Sequence, residues 1–384
     1  MKVALTHDWL VSFGGAERVL AELLRVFPDA PIYTTLHRPA ALPQAIRGWD
    51  VRPSFLQRIP GATRYHRALL PLVPLAVEEY DLDAYDLVIA TSSAFAKGVI
   101  TPPSTRVVCY CHTPPRYLWD QYHEQTRGMR GKAFASLASH WLRVWDRAAA
   151  DRVDDFVANS STTAARIRRY YRRDSTVVYP PVETARFAPT GRAPEDFFLV
   201  VARLVPYKRV DLAVRAVGRL GRRLVVVGDG PERARLTRLA RDCGAQVDFL
   251  GWRDDAEVAD LYARTRAFVF PGYDDFGIAP VEAQAAGRPV VAFARGGATE
   301  TVCHGETGIL FDAQNVDALA DALAEAWDAP LDPAACRANA LRFDAAVFRA
   351  RISELCAAPG DGRLARGAVA RAPYNVAACV SSGV

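Results

Sequence analysis

The sequence predicts two doubly wound α/β domains in tandem, each a parallel sheet covered by helices on both faces. Three observations predict it. Short β-rich runs recur without polar alternation, the look of strands buried on both faces. Amphipathic stretches at helical spacing separate them. A proline-rich, aperiodic passage then interrupts the pattern at Tyr179-Pro180-Pro181-Val182, continuing through Pro189, Gly191 and Pro194. That is the composition of a linker.

In the first half, the runs Val3–Leu5, Leu87–Ala90, Val107–Tyr110, Phe156–Ala158 and Val177–Tyr179 read as strands. Gly14-Gly15 follows the first strand and opens a helix whose Ala16, Val19, Leu20, Leu23 and Leu24 share one face. Paired glycines let backbone approach a ligand closely, and a helix N-terminus favours an anion. The motif is not GxGxxG, and no acidic residue completes a dinucleotide fingerprint. In the second half the strand runs are Phe197–Val201, Leu224–Val227, Val247–Leu250, Phe268–Phe270 and Val290–Phe293. The expected boundaries are a first domain at 1–180, a second at 181–340, a last helix at 341–356 and a disordered tail at 357–384, where Ala, Gly, Arg, Pro and Ser dominate.

At 384 residues, 50% hydrophobic and 24% charged, the chain has the balance of a soluble globular protein. A net charge of +5 suits an anionic substrate or an acidic membrane surface and is too weak to argue for nucleic acid. The seven cysteines form no CxxC pair and read as reduced thiols. Met1 runs straight into a strand, so no signal peptide is expected. The apolar run Leu69–Val77 contains two prolines and falls far short of the roughly 20 residues of a spanning helix. A cytoplasmic protein is expected. Asp81-Leu82-Asp83 has the DxD spelling of metal-dependent transferases, a weak signal alone, and no cluster has metal-ligand spacing, so no metal is expected.

Two segments carry the chemistry. Basic residues number 48, of which only four are lysine, and one of these is Lys208. It follows the Phe197–Val201 strand and Arg203 and precedes a helix, a good place for a pyrophosphate. The second segment is TyrAspAspPheGlyIleAlaProValGluAla, Tyr273 to Ala283. Asp274 sits in a loop after a strand. Pro280 is expected to start a helix and so to place Glu282 in its first turn, where a carboxylate can accept from the vicinal hydroxyls of a ribose. Backbone N–H groups around Phe276, Gly277 and Ile278 remain for a phosphate or a sugar hydroxyl. His112 lies at a strand's C-terminal end, the side on which open α/β sheets bind ligands.

Asp274 and Glu282, with PheGlyIle inside, resemble the E-x7-E motif of family-four retaining glycosyltransferases of the GT-B fold. Arg203 to Asp211 is similar to their donor-phosphate segment. The Gly228-Asp229-Gly230-Pro231-Glu232 turn, and Gly296-Gly297 with Glu300, Gly305 and Thr307-Gly308, match further signatures. Cys111 to Asp120, CysHisThrProProArgTyrLeuTrpAsp, resembles bacterial GDP-mannose-dependent mannosyltransferases of surface-polysaccharide assembly. The resemblance ends near Leu355.

It implies two Rossmann-like domains facing across a cleft, with a last helix crossing back to the first. The first domain would take the acceptor and the second the nucleotide-sugar donor. Arg203 and Lys208 would neutralise the donor diphosphate, Glu282 hold the ribose and Asp274 meet the sugar hydroxyls. His112 would face the transferred sugar and Gly15 the phosphates, with the nucleobase near Gly251. Asp274 departs from the family's glutamate by one methylene. The implied reaction is metal-independent, retaining transfer of a hexose, mannose from GDP-mannose, to a saccharide or lipid-linked glycan, without a cofactor. The alternatives are another UDP- or GDP-sugar donor, or a sugar-nucleotide-binding pseudoenzyme. The mixed basic and apolar stretches around Arg64–Leu75 and Arg127–Trp145 leave room for peripheral contact with anionic lipid at the inner face of the cell membrane.

Overall fold

The computed structural model describes residues 1–127, 132–328 and 331–358. The chain divides into two compact units: 1–180 joined by the segment from Phe348, and Pro181–Val347.

The first unit holds seven strands: β1 (Val3–His7), β2 (Ile32–Thr34), β3 (Val51–Pro53), β4 (Leu87–Ser92), β5 (Arg106–Cys111), β6 (Asp155–Ala158) and β7 (Thr176–Val177). They pair in parallel in the order β3-β2-β1-β4-β5-β6-β7. Ala4, Val88, Ala90 and Cys109 enter one apolar core and Leu5, Ile89, Val108 and Tyr110 another. Both faces are covered, so these strands show no polar alternation. Val19, Leu20 and Leu23 of the helix Gly15–Val26 join the second core.

The second unit holds six: β8 (Phe197–Val201), β9 (Arg223–Val227), β10 (Gln246–Gly251), β11 (Ala267–Phe270), β12 (Val290–Phe293) and β13 (Gly308–Phe311). Their order is β10-β9-β8-β11-β12-β13, again all parallel. The helix Val210–Leu220 buries Val210, Ala213, Val214 and Val217 against one face.

The strand and last-helix expectations are corrected. β2, β3 and β13 were not anticipated; each has only three or four residues, and β3 and β13 lie at sheet edges. The last helix runs Ala345–Ala357 rather than 341–356. Its Phe348, Ile352 and Cys356 pack in the first unit's second core, where the Phe348 ring meets Tyr110 edge-on at 5.6 Å. Phe343 stays with the second unit, edge-on to Phe276 at 5.6 Å. Among the described residues Cys109, Cys111, Cys243, Cys336 and Cys356 are free thiols. From Pro359 onward the expected tail lies outside the described residues.

Candidate active site

In each sheet the strand order reverses once, between β1 and β4 and between β8 and β11. Beyond the carboxyl ends of two such strands their connections diverge and leave a crevice. Of the residues marked in the sequence, Gly15 follows β1, Arg203 and Lys208 follow β8 and Asp274 follows β11, whereas His112 follows β5 and Gly251 ends the edge strand β10.

In the second unit, β8 leads into Ala202-Arg203-Leu204 and then the short turn Pro206–Lys208. This segment is pinned by the turn after β9: Leu204 donates to Asp229 O at 2.9 Å, and Glu232 donates to Leu204 O at 3.1 Å. A Cβ on Gly228 or Gly230 would overlap the carbonyl of Ala202 or Leu204, so the GlyAspGly turn has to lack one. Arg203 is exposed, and its side chain makes no hydrogen bond or ion pair among the described residues. Arg209 adopts a left-handed φ of 52° at the mouth of the next helix. Such a residue costs of order 1–3 kcal/mol. Its guanidinium is held by Asp211 and, at 3.1 Å, by Gln314 Oε1.

β11 leads into the loop carrying Asp274, which lies beside Lys208. The Lys208 ammonium donates to Asp274 Oδ2, and the two side chains are 17% and 20% exposed. The same ammonium stands 5.6 Å from the ring centres of Tyr207 and of Phe270. Gly297 N–H donates to Asp274 O at 2.9 Å, and neither Gly296 nor Gly297 has room for a Cβ against the Asp274–Phe276 backbone.

Glu282 requires a correction. The helix runs Ile278–Ala285, so Glu282 is its fifth residue and no acid occupies the first turn. Gly277, with φ 86°, turns the chain into the helix two residues before the proline. Pro280 is tolerated at the third position because N–H groups there lack intrahelical acceptors. Glu282 is buried, and Tyr262 O–H, which sequence reasoning missed, donates to its Oε2 at 3.1 Å. Phe276 is buried, while Gly277 and Ile278 are half-buried at the helix mouth. Gly251, at the end of β10, has φ 74° and accepts from Gly228 N–H at 2.7 Å; Trp252 beside it is 76% exposed.

In the first unit, Gly15 is the exposed first residue of its helix. Gly14 N–H donates to Glu17 Oε2 at 2.8 Å, and Glu17 Oε1 lies 3.7 Å from His7 Nε2. Burial acts to raise the Glu17 pKa. The hydrogen bond and charge of His7, with the N–H groups of Glu17 and Gly14, outweigh it and hold the carboxyl below its ordinary value. His7 also bonds Thr91. Asp8 accepts from four backbone N–H groups, Ser93 to Ala96, at 2.6–3.0 Å, so it fixes the turn after β4. The sequence showed His7 and Asp8 only as the end of a strand.

His112 follows β5, its N–H donating to Ser92 O at 2.9 Å. Its Nε2 is closed off from solvent without a hydrogen-bond partner, although the residue keeps some exposed surface. Burial and the nearby His7 push the imidazole down to about 4, against the opposing pull of Asp8 and Glu17. His112 is therefore neutral at pH 7. Trp119, further along the same segment, donates to Asp146 at 2.8 Å, and Asp146 pairs with the buried Lys97 at 2.5 Å.

A cavity of about 210 Å³ also opens beside β2 and β3, against Tyr33, Arg52, Phe55, Glu79, Tyr80 and Asp81. Only Asp81 of the DxD spelling reaches it. Among the described residues no group of three His, Cys, Asp or Glu side chains could hold a metal ion, and no helix is long and apolar enough to cross a membrane. Tyr65, Leu72, Leu75, Leu137, Trp141 and Val144 expose apolar surface on the first unit. Arg130, also in that stretch, lies outside the described residues.

Two family models match the chain: Glycosyltransferase Family 4 over residues 13–186 and Glycosyl transferases group 1 over residues 182–343. A GDP-mannose-dependent alpha-(1-6)-phosphatidylinositol monomannoside mannosyltransferase of Mycobacterium tuberculosis is 36% identical over 203 residues, 46% of this chain and 53% of that protein. A D-inositol 3-phosphate glycosyltransferase of Mycolicibacterium paratuberculosis is 32% identical over 227 residues, 53% of this chain and 52% of that protein. The chain spans about half the length of the curated relatives it matches. Among solved structures, Anabaena HepE in complex with UDP superposes with a TM-score of 0.70 at 20% identity, covering 93% of this chain and 99% of that one. Sucrose-phosphate synthase from Thermosynechococcus elongatus does so at 0.68 and 17%, covering 93% and 98%. These two share the fold. With both halves matched and both sheets in place, the chain belongs to the family-four glycosyltransferases of GT-B fold.

Proposed function

We propose that the protein is a retaining glycosyltransferase that moves mannose from GDP-mannose to a saccharide acceptor carried on a lipid. The observation that carries this reading is the second unit's switch point, where Arg203, Lys208 and Asp274 collect at the carboxyl ends of β8 and β11. The choice of mannose rests on the GDP-mannose-dependent relative. Arg203 and Lys208 take the diphosphate, and Glu282, oriented by Tyr262, takes the ribose. The base lies near Gly251, and the N–H groups of Gly277 and Ile278 meet phosphate or sugar. Asp274 accepts from the sugar hydroxyls. Gly15 offers the phosphates a helix N-terminus, and His112, neutral at pH 7, offers the sugar a hydrogen bond without a charge.

The donor's bond from C1 to the phosphate oxygen breaks as charge gathers on the leaving diphosphate. Fixed cations beside that oxygen supply much of the acceleration. The acceptor hydroxyl attacks C1 from the face the diphosphate leaves, and its proton passes to the departing phosphate oxygen, so configuration is kept. Two arginine and lysine charges supply what a metal would otherwise bring, so the reading needs neither metal nor cofactor. Donor hydrolysis across GDP- and UDP-sugars, with proton NMR of the product's anomeric signal, tests it. Turnover confined to GDP-mannose, resistant to EDTA and giving the retained anomer, is expected. An inverted product, or activity lost to EDTA and restored by magnesium, overturns it; preference for a UDP-sugar overturns the choice of donor.

A further inference from the structure

The ion pair between Lys208 and Asp274 joins two residues to which the proposed function gives separate tasks, one toward phosphate and one toward sugar. Resting on that reading, we propose that Asp274 is the resident counter-ion of Lys208, and that its displacement lets the site tell a sugar nucleotide from a free nucleoside diphosphate.

Four features of the site support this. The pair is largely withdrawn from solvent, so its attraction is screened less than that of a surface pair. Both backbones are clamped: Gly272 packs on the Lys208 main chain, and the Gly296-Gly297 turn packs on that of Asp274. Exchange of partners therefore falls to the two side chains. Lys208 also faces the rings of Tyr207 and Phe270, a setting that favours a cation whether or not Asp274 is its partner. Arg203, by contrast, has no ion-pair partner among the described residues and is open to phosphate from the start.

When a diphosphate takes Lys208, Asp274 loses its counter-ion in a partly desolvated place. A free nucleoside diphosphate gives it nothing back and adds a terminal negative charge nearby. A sugar ester supplies hydroxyl donors, which restore hydrogen bonds to the carboxylate. Asp274 thus disfavours the spent nucleotide relative to the donor, which aids product release.

The test is calorimetric titration of the whole chain with inorganic pyrophosphate, GDP and GDP-mannose at fixed ionic strength. Wild type is compared with Asp274→Asn, Asp274→Ser, Lys208→Ala and the Asp274→Asn/Lys208→Ala double variant. Both neutral substitutions should bind pyrophosphate and GDP about tenfold more tightly, which is ~1.4 kcal/mol. The gain should vanish in the double variant, and GDP-mannose should gain less than GDP. If wild type binds pyrophosphate through Lys208 and neither neutral variant binds it more tightly, the counter-ion role is overturned while the phosphate site stands. If no variant shows Lys208-dependent binding, the phosphate site falls and this inference falls with it.

Discussion

Replacing Lys97 with methionine should destabilise the first unit by about 3–5 kcal/mol, the usual cost of stranding one partner of a buried ion pair. Lys97 and Asp146 are each 1% exposed. The ammonium donates to Asp146 Oδ1 and to Ala94 O, both at 2.5 Å. Methionine fills nearly the same volume, so packing changes little and the loss is electrostatic. Asp146 keeps Trp119 Nε1–H at 2.8 Å and Tyr171 O–H at 3.1 Å, but neutral donors do not cancel a buried charge. Converting Asp146 to asparagine in the same chain removes that charge; its one carbonyl oxygen still accepts from Trp119 Nε1–H, and its amide N–H2 faces the Tyr171 hydroxyl, which can accept as well as donate. The double variant should therefore return to within about 1 kcal/mol of wild type. Equilibrium urea unfolding measures this, with a fall in midpoint of ~1–2 M expected for the single variant at the m-values usual for a domain this size. A single variant as stable as wild type, or a double variant no better than the single, would refute the reasoning. Trp119 ends the segment that begins near His112, so the single variant should also lose turnover.

Ending the chain at Leu341 removes Phe343, Phe348, Ile352 and Cys356, all buried. At about 1.5–3 kcal/mol per buried side chain the loss rivals the stability of a whole domain. A truncated protein that melts with the full chain would contradict this. Because the His112 pKa is depressed in the folded state, to about 4, the unfolded chain binds the extra proton first on acidification. Stability from this group is present above about pH 6.5 and is lost as pH falls toward 4, by about 2 kcal/mol after allowance for its partial exposure. Urea midpoints should show a shallower acid slope for His112→Gln; identical slopes would remove His112 as the cause. Gly297→Ala puts a Cβ into the Phe276 carbonyl, and should cost about 2 kcal/mol or more and lower donor affinity. Unchanged melting and affinity would show that the two loops do not need that close approach.

Strands buried on both faces declared themselves in the sequence because nothing polar interrupts them; Val200, Leu224 and Val269 all read as interior and are. β3 and β13 did not, because Val51–Pro53 ends on a proline at a sheet edge and Gly308–Phe311 begins on a glycine at another. The start of the Ile278–Ala285 helix was misplaced for a related reason. Proline is a visible signal, but the backbone turn at Gly277 sets the boundary, and a φ value leaves no mark in composition. The candidate site divides along the same line. Arg203, Lys208, Asp274 and Glu282 stood out because each lies in a local pattern of strand, turn and helix. Their partners are not local. Tyr262 reaches Glu282 from another helix, and Lys208 meets Asp274 across 66 positions of sequence. That meeting is set by strand order: β8 and β11 are neighbours although β9 and β10 lie between them in the chain. A motif can show that an acid and a base are present. Only the topology of the sheet makes one the counter-ion of the other, and on that relation rests the second task proposed for the aspartate.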